Sequence, residues 1–449
     1  MFQTTLATAA ADLAAGRTTS RALCETALDL ATDPAGEGAR AFIDLDRELV
    51  LAQADASDAL RTAGIVPSPL AGLPISLKDL FDVRGEVTRA GSKILADAPP
   101  KTTDAPVVAR LRAAGAVLFG RTNLSEFAFS GVGLNPHYGT PGNPADRSRV
   151  PGGSSSGAAV ATVDGMGLAG IGSDTGGSTR IPAALCGLVG WKPTQKRVPL
   201  QNVFPLCESL DSVGPLARSV ADAALLDAVL AGLPADPLPA RPAAGLRLAL
   251  PNRLVCDDLD EPVAAAFEAA LSRLSGAEVR ITRLDLPELT EIEAFHRAGG
   301  INAAQAYHVH RERMATRGAD FDPRIYKRIS GAEGLSAVDY LERVATRRRL
   351  TAAVDRRWAD VDALIMPTVP LVAPKQAEVA GDEAAFWRVN GLLLRNTRLA
   401  NFFDCCAITL PCHAPGSLPT GLMLFGRRGH DRRLFSLAAA LEPLLQPGG

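Results

Sequence analysis

Residues 152–182 read GGSSSGAAVATVDGMGLAGIGSDTGGSTRIP, and the way this stretch folds decides the rest of the molecule. Leu168 to Gly172 has the make-up of a short buried strand. Ser173, Asp174, Thr175, Gly176, Gly177 and Ser178 follow as a turn. A helix then opens near Ile181, with Pro182 tolerated in its first turn. Ser178 therefore falls at a strand-to-helix turn. Gly176 and Gly177 let successive backbone N–H groups converge there, and such a nest binds an anion, an oxyanion included. A serine hydroxyl beside an oxyanion site is a candidate nucleophile. A serine at that place can equally cap the helix, and both readings stand on local grounds.

Two other patterns can be laid on the same segment. Gly153 to Gly157 fits G-x-S-x-G, but a nucleophile elbow needs a strand before it, and Pro151-Gly152 precedes it here. No histidine downstream sits in a distinctive context. Gly165 to Gly170 fits G-x-G-x-x-G, which in a dinucleotide fold wants an acid about 20 residues further on. Residues 185–192, LCGLVGWK, contain no acid. Neither pattern carries a function.

A serine nucleophile needs a base. Lys78 lies in LPISLKDLF, residues 73–81, an apolar run of strand character and one of only seven places where lysine occurs. Burial disfavours the ammonium form, so a lysine in such a run can serve as a neutral amine. Pairing with Asp79 or Asp82, or snorkelling to the surface, are the alternatives.

Further out, helical and strand patterns alternate. Thr103-Asp104 reads as a cap before Val107, Val108 and Leu111, and Ala116 to Phe119 as a strand after Gly115. Leu246 to Leu250 and Leu364 to Met366 read as strands, and Val263 to Leu274 as a helix. This alternation implies an α/β sheet with helices on its faces. Residues 232–245 hold four prolines and read as a connector between two lobes. Residues 343–357 form a basic helix, read as a solvated face.

The chain has 449 residues, 47% hydrophobic and 21% charged, with a formal net charge of −2. That length and composition suit a globular protein of one large or about three smaller domains. The charge balance argues against nucleic acid as the main partner. No apolar run of about 18 residues predicts a membrane span. The N-terminus reads as an amphipathic helix, not a secretion signal. The seven cysteines include no C-x-x-C pair, which points to a reducing, cytoplasmic setting. The six histidines show no metal-ligand spacing.

Taken together, these residues resemble the amidase signature family. The resemblance rests on Gly152 to Gly157, then Gly172-Ser173-Asp174-Thr175-Gly176-Gly177-Ser178, then Arg180 and Pro182. It is supported by Lys78-Asp79 with Gly85, by GRTNLSEFA at 120–128, by 187–194, by the run to Ser212-Val213-Gly214-Pro215, and by 421–431. Val163 and Thr179 depart from the usual pattern, in positions that do not touch the nucleophile assignment. The resemblance is thin from about residue 235 to 360.

It implies a single domain, 1–449, with a mixed central β-sheet flanked by helices on both faces. The catalytic core would span 68–215, with the signature segment at 152–183, and 235–360 would be a variable substrate-shaping lobe. It implies Ser178 as nucleophile, Ser154 as bridging serine after a cis peptide, and Lys78 as base. The oxyanion hole would be the backbone N–H groups of Thr175, Gly176, Gly177 and Ser178, with Ser155, Asp174 and Arg180 in support. No metal or organic cofactor is implied, and homodimers are common in the family. The reading that follows is an amidase acting alone on a small carboxamide. The rival is the glutaminase subunit of a tRNA-dependent amidotransferase, with Arg328 as a match for a glutamine-holding arginine. Residues 391–401, GLLLRNTRLAN, weaken the rival, because they offer Arg395 and Arg398 where an acid is expected. The little chain left after 421–431 is a second expectation against it.

Overall fold

The computed structural model describes residues 4–358 and 360–445. Among them, eleven strands join in one sheet. They are β1 (Phe42–Asp44), β2 (Pro74–Lys78), β3 (Val117–Thr122), β4 (Ala169–Ser173), β5 (Val189–Lys192) and β6 (Val213–Ala217), then β7 (Arg247–Pro251), β8 (Arg280–Leu284), β9 (Ala363–Pro367), β10 (Cys406–Pro411) and β11 (Gly421–Gly426). Their order is β1-β3-β2-β4-β6-β5-β10-β11-β9-β7-β8. The strands β3, β2 and β4 run parallel, as do β9, β7 and β8; the pairs from β4 through β6, β5, β10 and β11 to β9 are antiparallel. The sheet is thus mixed and helices flank it, as the resemblance implied. The connector at 233–245 contains no helix or strand, and β7 and β8 beyond it add to the same sheet.

Burial explains why β2 reads as an unbroken apolar run. All five of its residues are buried, as befits a strand with parallel neighbours on both sides. Pairing of Ile75, Ser76 and Leu77 with Ala169, Gly170 and Ile171 brings the carboxyl ends of β2 and β4 together. Lys78 and Ser173 are the last residues of those two strands.

The helix Ser156–Asp164 follows the serine cluster. It is built of small residues and buried from Ser156 through Thr162, so it shows no polar stripe. No strand precedes it, which removes the nucleophile-elbow reading of Gly153 to Gly157. Gly165 closes this helix in the left-handed region at φ 82°, and the chain then turns into β4, which accounts for the glycines of the G-x-G-x-x-G pattern.

Two expectations need correction. Asp104 does not cap the next helix: the cap position is Ala105 ahead of Pro106–Ala113, and the Asp104 carboxylate accepts from Arg84 N–H and Arg112. The basic helix extends over Ala337–Arg357. Nor is it merely a solvated face, because Arg347 reaches inward to the carbonyls of Ser209, Asn401 and Phe402 at 2.7–3.2 Å. All seven cysteines are free thiols. No helix among the described residues is long and apolar enough to cross a membrane.

Gly157 supplies a test of this packing. Glycine to alanine inside a helix ordinarily stabilises by about 1 kcal/mol. Here a Cβ would lie 2.2 Å from the Ala41 carbonyl oxygen and 2.6 Å from the Asn123 nitrogen. Gly157→Ala is therefore expected to destabilise by about 1–3 kcal/mol in denaturant unfolding. A stabilised variant would contradict the packing described.

Candidate active site

Lys78 is fully buried. Its Nζ donates to Ser154 Oγ at 2.7 Å and to Ser173 Oγ at 2.9 Å. It neither snorkels nor pairs with the aspartates beside it in sequence. Asp79 instead binds Arg121 at 3.1 Å, and Asp82 lies 3.4 Å from Lys101. Burial pulls the Lys78 pKa down from 10.5 to about 7, against the upward pull of the Asp174 and Asp211 carboxylates. At neutral pH a substantial fraction of this amine is uncharged.

The peptide bond between Gly153 and Ser154 is cis. Ser155 N–H donates to the Ser178 carbonyl at 3.3 Å, tying the serine cluster to the turn that carries Ser178. The Ser155 hydroxyl donates to the Ser173 carbonyl at 3.5 Å. Ser178 does not cap the helix Arg180–Cys186. Thr179 holds the cap position and makes no side-chain cap hydrogen bond.

The turn is held from within by Asp174. Its carboxylate, wholly buried, accepts from Gly177 N–H at 2.9 Å and from Thr179 N–H and Oγ1 at 3.1 and 2.9 Å. Arg180 donates to it through Nε and Nη2 at 3.1 and 2.9 Å, and Asn401 Nδ2 at 2.9 Å. Burial alone would raise the Asp174 pKa, but the Arg180 guanidinium and these donors outweigh it and hold the carboxyl well below its usual range. One of the four N–H groups expected in the oxyanion hole, that of Gly177, is thus engaged by Asp174. Gly177 has a second duty. At φ +133°, a Cβ there would lie 2.2 Å from Thr397 Oγ1, so only glycine fits.

Several contributors escaped the sequence reading. Ser173 is a second partner of Lys78. Thr397 Oγ1 donates to the Gly176 carbonyl at 2.6 Å, and Asn401 donates to the Asp174 carbonyl and carboxylate. Thr397 and Asn401 stand four apart on the helix Glu383–Phe402, and that spacing on one face was the available signal. Asp211 accepts from Thr175 Oγ1 at 2.5 Å and from the N–H groups of Leu206 and Cys207, each at 3.0 Å. The Oγ1 of Thr179, a departure from the family pattern, also lies 2.8 Å from the Trp191 carbonyl oxygen, so its one proton is shared between that carbonyl and Asp174.

Thr175, Gly176 and Ser178 open on a cavity of about 170 Å³. Leu206, Leu210 and Leu394 give it apolar wall; Arg328, Arg398 and His296 line it as well. Arg395 does not, since it turns to the Asp257 carbonyl at 2.5 Å. Glu126, buried in the GRTNLSEFA stretch, accepts from Ser92 Oγ and Asp322 N–H, both at 2.7 Å, and from His137 at 2.9 Å. Asp322 caps the helix Pro323–Ser330, which bears Arg328, so this glutamate fixes one cavity wall. Among the described residues no group of three His, Cys, Asp or Glu side chains converges as a metal site would require.

A family model described as Amidase matches residues 31–435. The chain is 40% identical over 404 residues to 2-amino-5-chloromuconic acid deaminase of Comamonas testosteroni, covering 88% of this chain and 86% of the relative. It is 34% identical over 445 residues to a glutamyl-tRNA(Gln) amidotransferase subunit of Koribacter versatilis (strain Ellin345), covering 90% and 91%. A crystal structure of an amidase superposes with a TM-score of 0.89 at 34% identity, covering 98% of this chain and 100% of that one.

Removing the charge at position 174 tests the turn. Asp174→Asn would leave Arg180 buried without its counter-ion, and the expected loss of stability is about 3–5 kcal/mol. Urea unfolding measures it, and a loss under about 1 kcal/mol would show that the ion pair does not hold the turn.

Proposed function

The chain belongs to the amidase family, whose members hydrolyse C–N bonds, and we propose that it cleaves a small carboxamide to carboxylate and ammonia or amine through Ser178, Ser154 and Lys78. The observation that carries this reading is the contact of Lys78 Nζ with Ser154 Oγ at 2.7 Å, with no ion pair to Lys78 among the described residues. A buried amine whose neighbours are hydroxyls can exchange a proton with them. One locked to a carboxylate could not.

The steps follow from the chemistry. Neutral Lys78 accepts a proton from Ser154 Oγ, which accepts one from Ser178 Oγ. Ser178 Oγ bonds to the amide carbon, and the carbonyl oxygen takes negative charge. The N–H groups of Thr175, Gly176 and Ser178 face that charge, while Gly177 N–H serves the loop. The C–N bond then breaks as the Lys78 proton returns through Ser154 to the leaving nitrogen. Water attacks the resulting ester with the same relay as base, releasing the carboxylate and restoring Ser178.

The glutaminase subunit of an amidotransferase is the second reading, favoured by the 34% identity to an amidotransferase subunit. Glutamine carries an α-ammonium group, and the cavity is lined by no Asp or Glu to receive it.

Ammonia release from a carboxamide panel tests the chemistry. Ser178→Ala and Lys78→Ala are expected to lose at least about 10⁴-fold in kcat/KM with unfolding transitions that remain cooperative. Full activity in either would overturn the triad. The pH profile gives an independent check. A lysine pulled down to about 7 becomes neutral as pH rises through that value, so kcat/KM should be half-maximal near pH 7 and level off by about pH 8–9. A climb that continued toward pH 10 would mean a base with the pKa of an ordinary lysine, and would contradict a Lys78 poised near neutrality.

A further inference from the structure

The cavity beside Ser178 carries more positive charge than amide cleavage requires. Arg328 and Arg398 line it together, and no carboxylate does. Arg328 donates through Nη1 to the Phe129 carbonyl at 2.6 Å, and its guanidinium lies 4.0 Å from the centre of the Phe129 ring. Both partners are neutral. Arg398 makes no hydrogen bond or ion pair among the described residues, and its Nε is buried without an acceptor. The carboxylate whose charge acts on it, Glu293, is paired with Arg297 at 2.9 Å. Burial lowers both guanidinium pKa values to about 10, which leaves both charged at neutral pH.

His296 completes the set. Its Nε2 is buried with no partner, and burial, reinforced by Arg398 and Arg328, keeps the ring neutral. Two unpaired cations and an unused imidazole nitrogen on one small cavity are costly unless something arrives to satisfy them. The cost is borne next to the nucleophile. The Arg398 Cβ lies only 3.9 Å from where a Cβ on Gly176 would stand.

We infer that the substrate is a short amide whose acyl chain ends in a carboxylate and lacks an ammonium group, with Arg398 and Arg328 binding that carboxylate and His296 supporting them. The inference rests on the amide-hydrolase reading above. An arginine fork suits a carboxylate, and a pair can hold both oxygens. The leucines of the wall suit methylene or vinylic carbons between the two polar ends. A cavity of about 170 Å³ suits a short monoamide better than a peptide.

The test compares succinamate and glutaramate with 4-methylpentanamide and 5-methylhexanamide, in which an isopropyl group replaces the carboxylate, and with glutamine. The acids are expected to exceed the hydrocarbon amides by roughly 100-fold in kcat/KM, mostly through KM, and glutaramate to exceed glutamine by at least about tenfold. In Arg398→Met the acid-to-hydrocarbon preference should collapse by at least about 30-fold, and Arg398→Lys should restore part of it. Equal turnover of acid and hydrocarbon amides, a preference for glutamine, or a preference unchanged by Arg398→Met would overturn the inference. Calorimetry on Ser178→Ala separates this from failure of the chemistry. Succinate or glutarate should bind it, and Arg398→Met should weaken that binding by at least about 30-fold. Binding without turnover of any amide would refute the hydrolase reading and leave the carboxylate site standing. No dicarboxylate binding would refute the site itself.

Discussion

Lys78 ends a central strand with hydroxyl groups, not carboxylates, as its partners, and much of the surrounding structure serves to keep it so. A buried ammonium in an apolar sheet is expensive, and the usual remedy is an acid in contact. Two aspartates lie near enough to raise the affinity of Lys78 for its proton, but each is engaged elsewhere. Asp174 is saturated by Arg180, Asn401, Thr179 and Gly177. Asp211 is held by Thr175 and two backbone N–H groups. The positive charge that neutralises Asp174 comes from a helix-borne arginine, which leaves the lysine free to lose its own.

The same arrangement builds the turn. Because Asp174 gathers Gly177, Thr179 and Arg180 onto one carboxylate, the chain after β4 is pinned before the next helix begins. Thr397 and Asn401, from a helix more than two hundred residues later, close the turn from outside. The turn is therefore a junction between the parallel strands β2 and β4 and the far end of the chain. The Glu126 cluster plays a like part at another wall of the cavity, anchoring the helix of Arg328 to the segment after β3.

Much of this was legible in the sequence, and for identifiable reasons. The strand, read at 168–172 and formed at 169–173, the turn that follows it and the helix containing Pro182 could be read because glycine, proline and a buried apolar run leave few backbone options. Lys78 stood out because lysine is rare inside such a run. Its actual partner set was not readable, since Ser173 meets it only through the register of β2 against β4. The antiparallel half of the sheet was likewise silent: its central pairing joins β10 to β5 across more than two hundred residues, which no local pattern encodes. Asn401 and Thr397 were in plain view as polar residues on a helix face, yet nothing local said what that face would meet. The basic helix shows the converse error, in which a run of arginines looked solvated although Arg347 turns inward to three carbonyls.

The central claim is that Lys78 is an amine poised near neutrality, and its own titration tests that most directly. Only seven lysines occur in the chain, so protein labelled with ¹³C at lysine Cε gives a spectrum simple enough to assign Lys78 by its loss in Lys78→Met. The account predicts that this resonance titrates near pH 7. A Lys78 resonance that keeps its ammonium shift up to about pH 10 would contradict the account, because that amine could not take a proton from Ser154.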